Sequence, residues 1–381
     1  MCQRHLGTLT PARAHFDASD VTSATIVAFY LFDVAEQVDL AALRSAIGGE
    51  AAPAPLTRKA AAPSYLQYAV LPVVVEGEAL GIGAIEGFHV RVKFFDYGVL
   101  SFALTKQTGG DWSELASLSQ QYVENEALEQ QVERVCRTLM TRFAPAMQGS
   151  RPSVLTEDYL VVAVTALDDR MSADALVRQR GAEIASIVRG ERQPLSQQEQ
   201  DEIFKNRLSY LADDLVVPTW NAAFIYDTEA GVQAALEIVE FANSQLLEFR
   251  YYDELLDVAL GRIYAQLQEH HWWDSLAGRR YLRAAHQLHA LFIDVNELTD
   301  RTQNALKMVG DIYAARLFHL IAARFGLDRW KASVEEKLKT LNDIYTFAVE
   351  QVAISRGHFL ELTIILILVL ELVLFFMGIM R

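Results

Sequence analysis

The sequence predicts an α+β fold, with an N-terminal mixed α/β domain followed by long antiparallel helices and a C-terminal transmembrane helix. Up to residue 227, apolar runs rich in β-branched and aromatic residues alternate with short amphipathic segments. Residues 229–268 contain no proline and repeat apolar residues every three or four positions. Residues 359–380 are almost wholly apolar, and about 20 such residues form a helix that crosses a bilayer.

The mixed domain is predicted to cover residues 21–227, after a flexible N-terminus at 1–20 that carries no secretory signal. Residues 24–32 form an apolar run that predicts a buried strand. Asp39 is placed to cap a short helix that ends before two glycines. The segment 48–64 is rich in alanine and proline and predicts a flexible loop.

Three strands are predicted next, at 68–75, 88–95 and 99–104. The second alternates apolar and polar residues, which places His89, Arg91 and Lys93 on the opposite side from its aromatic and valine residues. Gly98 ends the three-residue connection before the third strand, where a positive φ is needed.

The rest of this domain follows the same alternation. Asp111 is predicted to cap helical sequence that runs, with a break, to about residue 143. A strand at 158–167 and a helix beginning at Ser172 follow. Residues 214–226 predict one last strand, in which Pro218 requires a bulge or an edge position.

A helical domain is predicted over residues 228–358. Its first helix ends before a turn at 270–280. A second long helix, or two helices in series, then ends at Gly326. The last helix begins near Asp328 and shows apolar residues spaced alternately by four and three, as in a heptad repeat. These positions are Val334, Leu338, Leu341, Tyr345, Ala348, Val352, Ser355, Phe359 and Leu362, continuing at Leu366, Val369 and Val373. The repeat predicts either self-association or packing against helices of the same chain.

Two glutamates interrupt the predicted transmembrane helix, Glu361 near its start and Glu371 near its middle. A charge at the bilayer centre costs about 2.5–3.5 kcal/mol on insertion scales. We therefore interpret both as oligomer or intramembrane contacts. The alternative is a protonated, hydrogen-bonded carboxyl tolerated by its apolar neighbours, and Glu361 can also reach the headgroups.

The net charge of −15 disfavours binding to phosphate backbones, so no sequence-specific nucleic-acid binding is expected. Residues 279–340 are mildly basic, which indicates a solvated surface or a contact with anionic lipid or nucleic acid. Two cysteines give neither a disulfide framework nor a metal site.

We predict no catalytic residues, no cofactor and no metal. The densest metal-capable set lacks a recognisable motif and consists of His270, His271, Asp274, His286 and His289. The glycines near residue 83 precede a strand and do not form a nucleotide-binding loop. The sequence therefore gives no reason to predict an enzyme. The alternative is an active site assembled from residues that are distant in the sequence.

Three stretches resemble the sporulation or "required for meiotic nuclear division" family. They are residues 92–102 (VKFFDYGVLSF), residues 237–253 (EIVEFANSQLLEFRYYD) and the segment from Leu360 to Glu371. The resemblance implies a bacterial-type membrane protein with a C-terminal helix. Mitochondrial members of that family form large homo-oligomers in the inner membrane and support translation by tethering the ribosome. No catalytic residues are implied.

The second of these stretches contains six polar residues that we interpret as one network within a helix pair. The alternative is a partner or ligand site. The six residues are Glu240, Asn243, Glu248, Arg250, Tyr251 and Asp253.

We therefore expect a membrane-anchored, oligomeric scaffold or tether that presents a cytoplasmic α+β domain. The expected partners are the lipid bilayer, further copies of the chain and the ribosome or translation machinery. The expected location is the inner, cytoplasmic membrane, or the mitochondrial inner membrane in eukaryotic relatives. The alternative function is a membrane-bound enzyme or ligand sensor with a pocket in the α+β domain.

Overall fold

A computed structural model describes residues 21–48, 52–53, 70–151, 155–268 and 312–376. The predicted flexible N-terminus, most of the predicted loop at 48–64 and the turn at 270–280 lie outside these residues.

In the part of the chain that the structure describes, eight strands form one mixed sheet, as the sequence predicted in outline. They are β1 Val21–Asp33, β3 Ala52–Pro53, β4 Val73–Glu76, β5 His89–Phe94, β6 Val99–Gly110, β8 Leu155–Leu167, β9 Leu215–Pro218 and β10 Ala222–Tyr226. Their order across the sheet is β3-β4-β5-β6-β1-β8-β10-β9. Neighbours are antiparallel except β8 and β10, which are parallel. Two short strands, β2 Gln37–Val38 and β7 Met147–Gln148, pair separately.

Eight α-helices accompany the sheet within the described residues. They are α1 Leu40–Ile47, α2 Trp112–Tyr122, α3 Glu126–Arg142, α4 Ala173–Arg189, α5 Gln197–Phe204, α6 Glu229–Gln268, α7 Ile312–Phe325 and α8 Leu327–Phe376. The predicted caps Asp39, Asp111 and Ser172 each accept a hydrogen bond from a backbone N–H of the first turn. Gly326 separates α7 from α8 with a φ of 68°.

The hairpin between β5 and β6 confirms the role of Gly98. Its φ is 91°, and a Cβ there would lie 1.8 Å from the carbonyl oxygen of Ala35. Because glycine has no Cβ, the start of β6 can lie against the backbone of Ala35, just after the end of β1.

The predicted last strand is two strands. Pro218 ends β9 at the edge of the sheet, and Thr219 N–H donates to the carbonyl of Ala222 (2.8 Å) to turn the chain into β10. Proline lacks the N–H that a continued central ladder needs, so the apolar run folds back on itself.

The sheet has two covered faces. Ile26, Ala28 and Tyr30 of β1 point to the side covered by α1–α5, which we call face A. The alternate residues Val27 and Phe29 point to the side covered by α6 and α7, which we call face B. The sheet is therefore the middle of three layers.

Helices α6, α7 and α8 run in the same direction. At one end of the sheet Tyr313 of α7 contacts Tyr210, and at the other end Phe325 contacts Tyr159, with ring centroids 5.4 and 5.0 Å apart. Helix α6 follows the same path, because it leaves β10 at Tyr226 and reaches Glu157 through Arg250. Helix α8 also follows α6 in the same direction, since Ser333 contacts Asp253 and Lys337 contacts Asp257 one turn further along. The described parts of the long helices are therefore parallel rather than antiparallel, and most of the predicted second helix lies outside the described residues.

Part of the predicted heptad packs within the chain. Val334, Leu338 and Leu341 of α8 are buried in the face-B core, which also contains α6. The later positions Leu366 and Val369 are exposed. Packing within the chain therefore accounts for the first part of the repeat, and self-association stays a prediction for the rest.

The transmembrane helix predicted at 359–380 has to be corrected. Over the part of the chain that the structure describes, no helix combines the length and the apolarity needed to cross a membrane. The apolar residues instead continue α8, a 50-residue helix whose first turns are amphipathic and pack on the rest of the protein through their apolar side.

Candidate functional site

A buried layer of polar side chains lies between face B and helix α6. From Ile238 to Phe249, every residue of α6 is buried, because the sheet covers one side and α7 and α8 cover the other. Five polar residues follow one line along this helix at spacings of three and four: Glu237, Glu240, Ser244, Glu248 and Tyr251. We call this line the polar stripe.

Lys93 and Glu240 form a buried salt bridge between β5 and α6. Lys93 points to face B because Val92 and Phe94 on either side of it point to face A, which confirms the predicted alternation. Glu237 lies one turn before Glu240. Burial raises the pKa of Glu237, and the charge of Lys93 opposes that rise. Lys93 is therefore electrostatically linked to two carboxyl groups of the stripe.

The next turn of the stripe meets the β5–β6 hairpin. The hydroxyls of Tyr97 and Ser244 lie 2.8 Å apart. Ser244 donates its hydroxyl hydrogen to the carbonyl of Phe241 (2.7 Å), so Tyr97 is the donor to Ser244. The hairpin that Gly98 permits thus holds α6 by a directed hydrogen bond.

Arg151 pairs with Asp33 beneath the end of the stripe, and both side chains are almost fully buried. The guanidinium carbon of Arg151 lies 3.4 Å from the ring centroid of Tyr251, a cation–π contact. Arg151 therefore joins the end of β1 to the helix.

Arg250 forms a salt bridge with Glu157 of β8. Partial burial lowers the pKa of Arg250, although a guanidinium stays protonated at physiological pH. Within the buried stretch and its last turn, α6 thus contacts β5, the hairpin and β8 through polar groups, and Arg151 links it to β1.

Asp253 faces α8 rather than the sheet. It accepts hydrogen bonds from Ser333 (2.7 Å) and Lys337 (2.8 Å), and Lys337 also contacts Asp257 at 2.7 Å. Burial alone would lower the pKa of Lys337, but its bonds to the two aspartates outweigh burial and raise it. We call this set the α6–α8 clasp, and it fixes the lengthwise position of α8 on α6.

Asn243 is 1% exposed, and its side-chain nitrogen has no hydrogen-bond partner among the described residues. Ser101, directly across the ladder from Lys93, is also buried without a partner for its hydroxyl in that part of the chain. Unpaired buried polar groups cost about 1–3 kcal/mol each. The polar layer between face B and α6 thus contains buried polar groups in addition to those that form its ion pairs.

The structure places all six predicted polar residues on α6. Glu240 and Arg250 contact the sheet, Tyr251 contacts Arg151 in the segment before β8, and Asp253 contacts α8. Glu248 is buried on the stripe.

Sequence reasoning missed the partners of this network. Lys93 was visible as the polar residue of an alternating strand. Asp33 and Arg151 gave no comparable signal, because a charge at the end of an apolar strand and another in a turn look like surface residues.

The other predicted site residues do not join the polar layer. Glu361 and Glu371 are exposed on α8. The histidine set from His270 to His289 lies outside the described residues. In the part that is described, no group of three metal-capable side chains comes together.

Comparison with known proteins finds one family. The family model described as "Uncharacterized protein MJ0711, N-terminal domain" matches residues 23–233. Uncharacterized protein MJ0711 of Methanocaldococcus jannaschii is 24% identical over 201 residues, which are 53% of this chain and 61% of that protein. The alignment thus spans less than two thirds of the relative. No solved structure matches.

The resemblance to the sporulation or "required for meiotic nuclear division" family is wrong, since the match is to a different family. The stretches that suggested it are a glycine hairpin, an amphipathic helix and an apolar helix end, all of which arise on many folds. The expectation of ribosome tethering depended on that resemblance and loses its basis with it. The matched residues cover the sheet from β1 to β10 and the helices of face A, and the chain belongs to the MJ0711 N-terminal domain family.

Proposed function

We propose that this protein is a tether that holds its sheet domain at a lipid surface through the exposed apolar end of α8. The observation that carries the proposal is the run from Ile364 to Val373, which we call the apolar end. Nine of its ten residues are large hydrophobics that are 45–65% exposed.

The apolar end has no polar side to turn toward water. At 100° per residue, ten consecutive residues pass around the helix axis more than twice, so every direction is apolar except that of Glu371. A helix that is hydrophobic on all sides is ordinarily surrounded by apolar material. A single partner helix covers one stripe, whereas lipid acyl chains cover the whole circumference. Lipid is therefore the occupant that fits best.

The α6–α8 clasp connects the apolar end mechanically to the sheet domain. Lys337 holds α8 against α6, and α6 is anchored in the sheet by the polar layer. A force on the apolar end is therefore transmitted along α8 to the clasp and from the clasp to the sheet domain. With the net charge of −15, the body gains nothing from anionic headgroups, so the attachment is apolar rather than electrostatic.

The test is flotation with phosphatidylcholine vesicles. The double variant Ile365→Glu with Val369→Glu places two charges in the apolar end, and the matched control Leu211→Glu with Trp220→Glu changes two equally exposed residues on the sheet domain. We expect the first variant to lose vesicle binding by at least about tenfold and the control to bind like the wild type.

Equal binding by both variants would refute the lipid contact. Loss of a discrete oligomer in the first variant, with no vesicle binding by the wild type, would make a second copy the occupant instead. The inner-membrane location, and the alternative of an enzyme or ligand sensor, stay predictions from the sequence.

A further inference from the structure

Four carboxyl groups surround one buried tyrosine on face A. Tyr30 of β1 lies directly opposite Asp158 of β8, and both side chains point to face A. Residues opposite each other in such a ladder have Cβ atoms about 4.5–5.5 Å apart. Burial raises the pKa of the Tyr30 hydroxyl, and three nearby carboxylates add to the rise: Asp158, Glu129 and Glu86. Glu124 acts in the same way on Asp158. We call Tyr30 and these four residues the acidic cluster.

The two exposed carboxylates of the acidic cluster are held in place by side-chain amides. Glu86, before β5, accepts a hydrogen bond from Gln131 of α3 (3.3 Å). Glu124, between α2 and α3, accepts one from Asn221 before β10 (3.2 Å). These bonds position the carboxylates without neutralising them, since an amide carries no charge.

The acidic cluster has no cation of its own in the part of the chain that the structure describes. No lysine or arginine there forms a salt bridge with any of its four carboxylates. Burial and neighbouring carboxylates, Asp158 first among them, raise the pKa of Glu129. Like charges held together where water is partly excluded repel one another, so a bound cation would stabilise the ionised cluster.

The Tyr30 hydroxyl independently indicates a ligand. Tyr30 is 1% exposed, and its hydroxyl forms no hydrogen bond with any residue that the structure describes. A buried tyrosine hydroxyl ordinarily has a hydrogen-bond partner. This hydroxyl is directed into the acidic cluster, where three carboxylates act on it. It can accept a hydrogen bond as well as donate one, so it is available to a cationic group that also contacts the carboxylates.

We propose that the acidic cluster binds an aliphatic polyamine. An alkylammonium group has three N–H donors, and the inner part of the cluster offers three acceptors: Tyr30, Asp158 and Glu129. Among the described residues no three metal-capable side chains converge, so the carboxylates are too far apart to surround one metal ion. A polyamine spaces its charges along a carbon chain, and its second ammonium group reaches the outer carboxylates, Glu86 and Glu124. The site lies on the opposite face of the sheet from α6, so its occupancy does not depend on the lipid contact.

The test is isothermal titration calorimetry of the full chain with spermidine. Salt at about 0.15 M screens the diffuse attraction that the net negative charge exerts on any cation. We expect saturable binding of one spermidine per chain. Tyr30→Phe keeps the ring and removes the hydroxyl, and Asp158→Asn keeps the side-chain size and removes the charge. Each should weaken binding by at least about tenfold, because each removes an acceptor of a charged donor.

A matched pair of double variants separates the site from diffuse attraction. Glu129→Gln with Asp158→Asn removes two charges from the acidic cluster and should weaken binding by at least about a hundredfold. Glu76→Gln with Glu78→Gln removes two charges from exposed glutamates beside His89 and should bind like the wild type. Equal weakening by the two double variants would overturn the proposal, and so would a wild type that shows no saturable binding.

A titration with magnesium chloride distinguishes a metal ion from a polyamine. We expect no saturable magnesium binding. Magnesium that binds saturably, displaces spermidine and is unaffected by Tyr30→Phe would make a metal ion the ligand and overturn the proposal. If Tyr30→Phe does not fold, Asp158→Asn gives the decisive comparison, and spermidine binding that this variant leaves unchanged would also overturn the proposal.

Discussion

Face A and face B belong to one sheet but are closed in different ways. Face A is covered by five helices of 8–17 residues, and its hydrophobic core combines apolar side chains of these helices with those of the strands. Face B is covered mainly by one 40-residue helix, and between helix and sheet it buries the salt bridges of Lys93 with Glu240 and of Arg151 with Asp33. The same strands supply both surfaces through alternate residues.

The difference teaches what each kind of contact contributes. Apolar contacts stabilise a helix wherever it lies on a complementary surface, with little preference for a particular lengthwise position. Buried ion pairs add little net stability over apolar residues, but they penalise every position that leaves a charge unpaired. The helices of face A are also positioned by short connections to their strands. Helix α6 is long and joined to the sheet at one end, so we infer that its polar stripe selects its positions.

The largest expected effect comes from breaking the face-B layer. Lys93→Met leaves the buried carboxylate of Glu240 without its partner, so we expect the free energy of unfolding to fall by about 3–5 kcal/mol. The double variant Lys93→Met with Glu240→Leu removes both charges and should recover most of that loss. Urea denaturation of the two variants measures the difference. Equal losses in the single and double variants would show that the ion pair does not matter to face B.

A matched change on face A should behave differently. Ile184 of α4 is fully buried in the apolar core, and Ile184→Val removes one methylene, so we expect a loss of about 0.5–1.5 kcal/mol. Combined with Val132→Ala on α3, the losses should add to within about 0.5 kcal/mol if the two sites are independent. Strong coupling between these two, measured by the same denaturation, would contradict the view that face A lacks a network.

The smallest effect concerns the pH dependence of stability on face A. Asp158 points to face A opposite Tyr30, and burial, together with the nearby Glu124, raises its pKa. The folded protein therefore holds this proton to higher pH than the unfolded chain does. Stability supported by the protonated carboxyl should fall as the pH rises from about 4 through the raised pKa. Asp158→Asn should reduce that fall in denaturation midpoints, and an unchanged pH profile would remove Asp158 as its source.

Several features of the fold could be predicted from the sequence because they depend on local interactions. Asp39, Asp111 and Ser172 cap their helices through atoms two or three residues away. The alternation that turns Lys93 toward face B depends on the period of two in a strand. Gly98 was identifiable because the tight connection before β6 needs a positive φ.

The sequence by itself thus determined the caps, the alternation of the strands, the hairpin and the helical character of residues 229–268, since each depends on neighbours within a few positions. Only the tertiary structure decided that residues 214–226 fold into two strands, that α6 and α8 run in the same direction and that Arg151 meets Asp33. Each of these depends on which distant segments pack together. An arginine in a turn has the same local pattern whether it faces water or a buried carboxylate, so its partner is chosen by the fold of the whole chain.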